Sequence, residues 1–84
     1  MKEISYRGYR IVAIGPKEGG VWRSRASITL PGGRRVHLHN RETIFGSKDD
    51  AEQDGLRLGQ HWVNNRLQGS LQFFPNSAVK TKGS

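Results

Sequence analysis

The stretch Gly33-Arg34-Arg35-Val36-His37-Leu38-His39-Asn40-Arg41-Glu42 sets two histidines two residues apart among three arginines. Imidazoles at that spacing project from one side of a strand and can share a zinc ion. A third ligand would have to be His61 or a carboxylate. His61 falls on the solvent side of a helix that should cover the opposite face of the same strand, so the three rings diverge and no metal site is expected. Covalent chemistry has no better footing. Cysteine is absent, no serine sits in a GxSxG turn, and the acids gather at the start of a helix, where capping and the helix dipole explain them. The loop Gly15-Pro16-Lys17-Glu18-Gly19-Gly20 lacks the Gly-Lys-Ser/Thr ending of a phosphate loop and runs into a strand instead of a helix. No catalytic residue, cofactor or small-molecule substrate is assigned, and the chain is not expected to be an enzyme.

Charge is the remaining chemistry. Fourteen lysines and arginines stand against seven acids, a formal net charge of +7. Nine cations and two acids lie in residues 1–41, whereas residues 42–70 carry three cations and five acids. The first half of the chain is the basic half and is suited to contact with polyanions.

Those charges have to be positioned by strands. Ile4–Ile14 alternates and is rich in β-branched and aromatic residues, so it reads as one strand, bulged at Gly8. In the second strand, Val21–Leu30, the residues Trp22, Ser24, Ala26, Ile28 and Leu30 fall on one face and Arg23, Arg25, Ser27 and Thr29 on the other. Leu30-Pro31-Gly32-Gly33 fits a type II turn. A third strand, Arg34 to about Asn40, then turns Val36 and Leu38 inward and Arg35, His37 and His39 outward.

Ser47 followed by Asp50 is an N-cap signature, and a helix is expected from Lys48 to Leu67, stopped by Gly69-Ser70. At 100° per residue Ala51, Gly55, Leu56, Leu58, Gly59, Trp62, Val63 and Leu67 share one half of the helix, with Asp50, Asp54, Arg57, His61 and Asn64 opposite. Gly55 and Gly59 lie in the apolar half, where each costs about 1 kcal/mol of helix propensity. Their spacing predicts a close backbone approach, under Trp22 or Trp62.

The expectation is an α+β domain at residues 1–70: a three-stranded antiparallel meander with one carboxy-terminal helix across one face, β-β-β-α. Leu71, Phe73 and Phe74 form a lid or an edge pairing, and residues 71–84 are a flexible tail, largely disordered after Pro75. Eighty-four residues hold one small core without disulfide support. No apolar run reaches the length of a signal sequence or membrane span, so a cytoplasmic location and no membrane partner are expected.

Tyr6-Arg7-Gly8-Tyr9-Arg10-Ile11, Trp22, and Phe45-Gly46-Ser47-Lys48-Asp49-Asp50-Ala51-Glu52 leading to Gly59 and Trp62-Val63 make residues 4–67 resemble a family of short proteobacterial proteins of unknown function. That resemblance implies a fold and no activity. In topology the chain is also similar to double-stranded RNA-binding domains and to the partial RNase H-like core of HicB-type antitoxins. The RNA-binding mode is rejected. The amino-terminal helix of those domains is absent, and their lysine cluster is replaced by Ser47-Lys48-Asp49-Asp50, whose acids repel phosphates. For the antitoxin likeness, fourteen tail residues cannot build a helix-turn-helix, which leaves a dimeric or adaptor role.

The outward sheet face is the candidate site. Arg10, Arg23, Arg25, Arg35, His37 and His39 are expected there as binding residues for a partner or nucleic acid, with Val12 and Ile14 as an apolar centre for self-association. A protein partner or homodimer is the first reading; non-specific nucleic-acid binding through the basic face is the alternative.

Overall fold

Alternating apolar and polar residues put the first 45 residues into one antiparallel sheet. The computed structural model describes residues 1–72, with residues 70–72 given by their helical backbone alone. It contains β1 (Lys2–Tyr6), β2 (Tyr9–Ile14), β3 (Lys17–Glu18), β4 (Val21–Thr29), β5 (Arg35–Phe45) and α1 (Lys48–Gln72). The α+β class and the single covering helix are as expected. The strand count is five, not three.

The extra strands come from two turns. Arg7 and Gly8 both have positive φ, 54° and 88°, the combination that closes a two-residue type I′ hairpin. Tyr6 therefore pairs with Tyr9, and Ile4–Ile14 is a hairpin, not one bulged strand. Arginine is a poor resident of that turn, which is why Gly8 alone gave a bulge signal. The glycine-rich loop, in turn, contains the short strand β3, paired with Val21 and Trp22.

β4 is the centre of the sheet. It pairs with β2 through Arg10↔Thr29, Val12↔Ser27 and Ile14↔Arg25, and with β5 through Thr29↔Arg35, Ser27↔His37 and Arg25↔His39. The turn between them forms where expected, with Gly33 N–H donating to the Leu30 carbonyl at 2.8 Å. Its positive φ falls on Gly33, at 97°, and not on Gly32. This is the type I turn with a following left-handed residue that suits a three-residue hairpin loop.

Ser47 caps the helix as its sequence context requires, its Oγ accepting from Asp50 N–H at 3.1 Å. The helix then runs past Gly69-Ser70 to Gln72. Gly69 does not adopt the left-handed φ of a terminating glycine. The proposed lid residues Phe73 and Phe74, and the tail to Ser84, lie outside the described residues.

The core lies between helix and sheet, where Tyr9, Ile11, Ala13, Ala26, Ile28 and Leu30 meet Ala51 and Val63. Tyr9 packs edge-on against Trp62, ring centroids 6.4 Å apart. Gly55 and Gly59 do let the backbones approach, but their neighbours are not the tryptophans. A Cβ on Gly55 would stand 2.7 Å from the Arg25 carbonyl oxygen, and one on Gly59 would stand 2.5 Å from Ile11 Cγ2. Trp22 lies at the margin of the core, half-buried, with Lys17 Nζ 5.5 Å from its ring centroid.

Two residues expected on the solvent side of the helix are engaged by the sheet. Asp54 is nearly buried, its side chain 10% exposed, and Asn64 Oδ1 accepts from the Tyr6 hydroxyl at 2.8 Å. A single helix over a sheet several strands wide contacts strands on both flanks, so the covered arc exceeds the apolar stripe. Arg57 and His61 remain exposed as expected.

Candidate functional site

Strand pairing arranges the outward side chains in rows, because directly opposed residues on antiparallel strands share a face. One row is Ser5, Arg10, Thr29, Arg35; the next is Glu3, Val12, Ser27, His37; the third is Ile14, Arg25, His39. The structure thus brings Arg10, Arg25, Arg35, His37, His39, Val12 and Ile14 around one shallow hollow of about 420 Å³. Ile14 is 39% exposed and Val12 half-buried. Tyr6 points the other way, into the contact with Asn64, so among the described residues no aromatic ring lines this hollow.

Arg23 is apart from that hollow. The β4–β5 register shifts between Trp22↔Phe45 and Ser24↔Asn40, so four residues of β5, Arg41–Ile44, face Arg23 alone. This bulge is held by Asn40. Its Oδ1 accepts from Glu42 N–H at 3.2 Å and Thr43 N–H at 3.1 Å, while its Nδ2 donates to Asp54 Oδ2 of the helix at 3.0 Å. Arg23 Nη1 donates to the Arg41 carbonyl at 3.1 Å. A second hollow of about 280 Å³ opens there, lined by Arg23, Arg25, Arg41, His39, Asn40 and Glu18, with Ser24.

The electrostatics are less one-sided than the +7 total suggests. Glu3 pairs with Arg10 at 3.1 Å and Glu18 pairs with Arg25. Among the described residues no acid pairs with Arg23, Arg35 or Arg41. The outer face is therefore mixed in charge toward β1 and β3 and cationic toward β5.

Asp54 anchors the bulge from behind. Burial pushes its carboxyl up, but hydrogen bonds from Asn40 and Arg57, with help from the neighbouring Ser24 hydroxyl, hold it below the ordinary carboxylate range. Arg57 Nη2 stands 2.6 Å from its Oδ1. The Ser24 Oγ is buried without a hydrogen bond of normal geometry and acts on Asp54 as a nearby dipole. A lowered folded-state value means that the ionised form stabilises the fold above the unfolded value near ~4, and that this stabilisation fades as pH falls through the lower folded value. Asp54→Ala is expected to cost about 1–2 kcal/mol at neutral pH from the lost charged hydrogen bonds. Urea unfolding of both proteins should show the difference narrowing as pH falls below the ordinary carboxylate range, and a gap independent of pH would contradict the assignment.

His37 and His39 share the outer face, whereas His61 is on the helix, its Nε2 3.1 Å from Asn65 Nδ2. Among the described residues no group of three or more histidines, cysteines or acids gathers as a metal ligand set. No described helix is long and apolar enough to cross a membrane.

Sequence reasoning missed Arg41, Asn40 and the two acids. Glu3 was recoverable from alternation once the hairpin at Arg7-Gly8 was recognised; Arg41 had no local signal, because its position is set by the bulge. No protein-family model, curated protein or solved structure matches the chain.

Proposed function

We propose that this chain is a small non-enzymatic binding protein that self-associates through the outer face of its sheet. The observation that carries this reading is the outward pair of β2, half-buried Val12 and exposed Ile14, flanked by arginines that acids of the same face already neutralise. An apolar centre with a charged rim is how protein interfaces are built. Phosphate contact would ask for free cations at those places.

A second copy suits the pattern of charge. A twofold axis parallel to the strands, between β2 and β4, lays β1 of one copy over β5 of the other. Glu3 then faces the row of His37, close to Arg35, and Val12 faces Ser27. Four strands at about 4.8 Å spacing make a face roughly 19 Å across. That is at the small end for a stable interface, so a dimer of micromolar or weaker affinity follows.

Sedimentation equilibrium from about 1 µM to 1 mM should therefore show a monomer–dimer transition. Val12→Asp should abolish it, weakening association by about 100-fold or more through a buried, unpartnered charge, with the thermal unfolding midpoint nearly unchanged. A wild-type protein that stays monomeric throughout the range rules the reading out.

The second reading, nucleic-acid binding, is favoured by the unneutralised arginines on the β5 side. It predicts affinity that falls steeply with salt and a slope flattened by Arg23→Ala with Arg25→Ala. The lack of aromatic platforms on the hollow counts against a single-strand mode.

A further inference from the structure

We infer that the hollow at the β4–β5 bulge is a binding site for a phosphate group. It stands apart from the self-association reading, since it needs neither Val12 nor Ile14. Three guanidinium groups, Arg23, Arg25 and Arg41, and the imidazole of His39 line one polar hollow of about 280 Å³. Four cationic or proton-accepting side chains around one small concavity need a reason to be there, because like charges repel and arginine is free to turn outward.

The bulge supplies the geometry. In a regular strand Arg41 would follow the parity of His39, outward, one pair further along β4. Three inserted residues instead let the chain loop out beside Arg23, whose Nη1 is tied to the Arg41 carbonyl. Bulges re-aim side chains at functional sites. This one is fixed from two directions: Asn40 ties its amides to the helix through Asp54, and those amides are already satisfied. The arginine heads are thus the groups left to meet a ligand.

Glu18 is the one acid at the hollow, and it is committed to Arg25. It sets the orientation of that guanidinium and lowers the net charge of the site, leaving Arg23 and Arg41 as the two cations without an acidic partner. Two guanidinium forks present paired N–H donors that match the oxygens of a phosphate, whereas a halide has no pair of oxygens to meet them. A phosphate monoester, free phosphate or the backbone phosphate of a nucleic acid shares that chemistry.

The test is a residue-resolved NMR titration of the full chain, following backbone amides and arginine side-chain Nε–H groups. The probes are sodium phosphate, adenosine monophosphate and a ten-nucleotide thymidine oligomer, each against sodium chloride at matched ionic strength. Saturable shifts at Arg23, Arg25, His39 and Arg41 are expected, with Kd on the order of 1 mM for phosphate. Arg23→Ala with Arg41→Ala should raise that Kd at least about tenfold, whereas Arg34→Ala, in the exposed β4–β5 loop and in neither hollow, should leave it unchanged. Tighter binding of the monophosphate assigns the site to a small ligand. Shifts from the oligomer that spread to Arg35 and His37 with steep salt dependence assign it to a nucleic-acid backbone. Phosphate shifts that do not saturate by about 50 mM, or that are equal at Arg34 and Arg41, overturn the site as counterion screening. A monomeric protein that binds phosphate, or a dimer that does not, separates this inference from the self-association reading.

Discussion

Gly55→Ala is expected to lower the midpoint of thermal unfolding by about 10–20 °C, although alanine is the better helix former by about 1 kcal/mol. The added methyl would stand 2.7 Å from the Arg25 carbonyl oxygen and 2.8 Å from Ala13 Cβ. Neither neighbour can step aside: one is backbone of the central strand, the other a buried side chain with no rotamer to change. The helix must lift from the sheet or the strand must bend. Overpacking of a tight core commonly costs about 1–3 kcal/mol and sometimes more; with neither neighbour able to move, a cost of about 3–4 kcal/mol applies, so a net loss of roughly 2–3 kcal/mol survives the gain in propensity. For a domain whose whole stability is on the order of 5 kcal/mol, that is about half of it. Calorimetry of the two proteins settles the matter, and an alanine variant as stable as the parent would mean that the helix stands farther from β4 than described.

Gly59 offers the complementary case, because its obstacle is a side chain that can be removed. Its Cβ would lie 2.5 Å from Ile11 Cγ2 and 3.1 Å from Ile11 Cδ1. Ile11→Ala alone leaves a cavity beneath the helix and is expected to cost about 2–5 kcal/mol. Gly59→Ala alone should cost about 1–2 kcal/mol after the propensity gain. Together the new methyl enters the space that Ile11 vacated, so the double variant should be more stable than the sum of the singles by about 1–2 kcal/mol. Urea unfolding of the four proteins measures that coupling. Trimming a side chain cannot rescue Gly55→Ala in the same way, since the Arg25 carbonyl stays where it is. Simple additivity at Gly59 and Ile11 would show that the two do not meet.

These contacts mark the line between what was readable in the residues and what was not. Strand parity over Val21–Leu30 and Arg35–His39 was legible, because a sheet with one covered and one wet face writes a period of two into its sequence. So were the helix start at Ser47 and the need for small residues at Gly55 and Gly59. The partners of those glycines were not, since they depend on where β2 and β4 lie beneath the helix. The hairpin at Arg7-Gly8 escaped because its first turn residue is arginine, and losing it hid Glu3 from the outer face. The bulge at Arg41–Ile44 has no local signature: Asn40 holds it through Asp54, fourteen residues away. The outer face was therefore foreseen as more basic than it is, and the hollow beside Arg23 was not foreseen at all.

The covering helix follows every described strand, and this orders events during synthesis. While the ribosome is still adding residues beyond Phe45, the whole sheet has been made, yet Ile11 and Ile28 have nothing above them. Domains fold as units, so closure waits for residues 48–72 to emerge. During that interval the seven arginines and two lysines of residues 1–41, against two acids, favour repulsion between neighbouring unfinished chains.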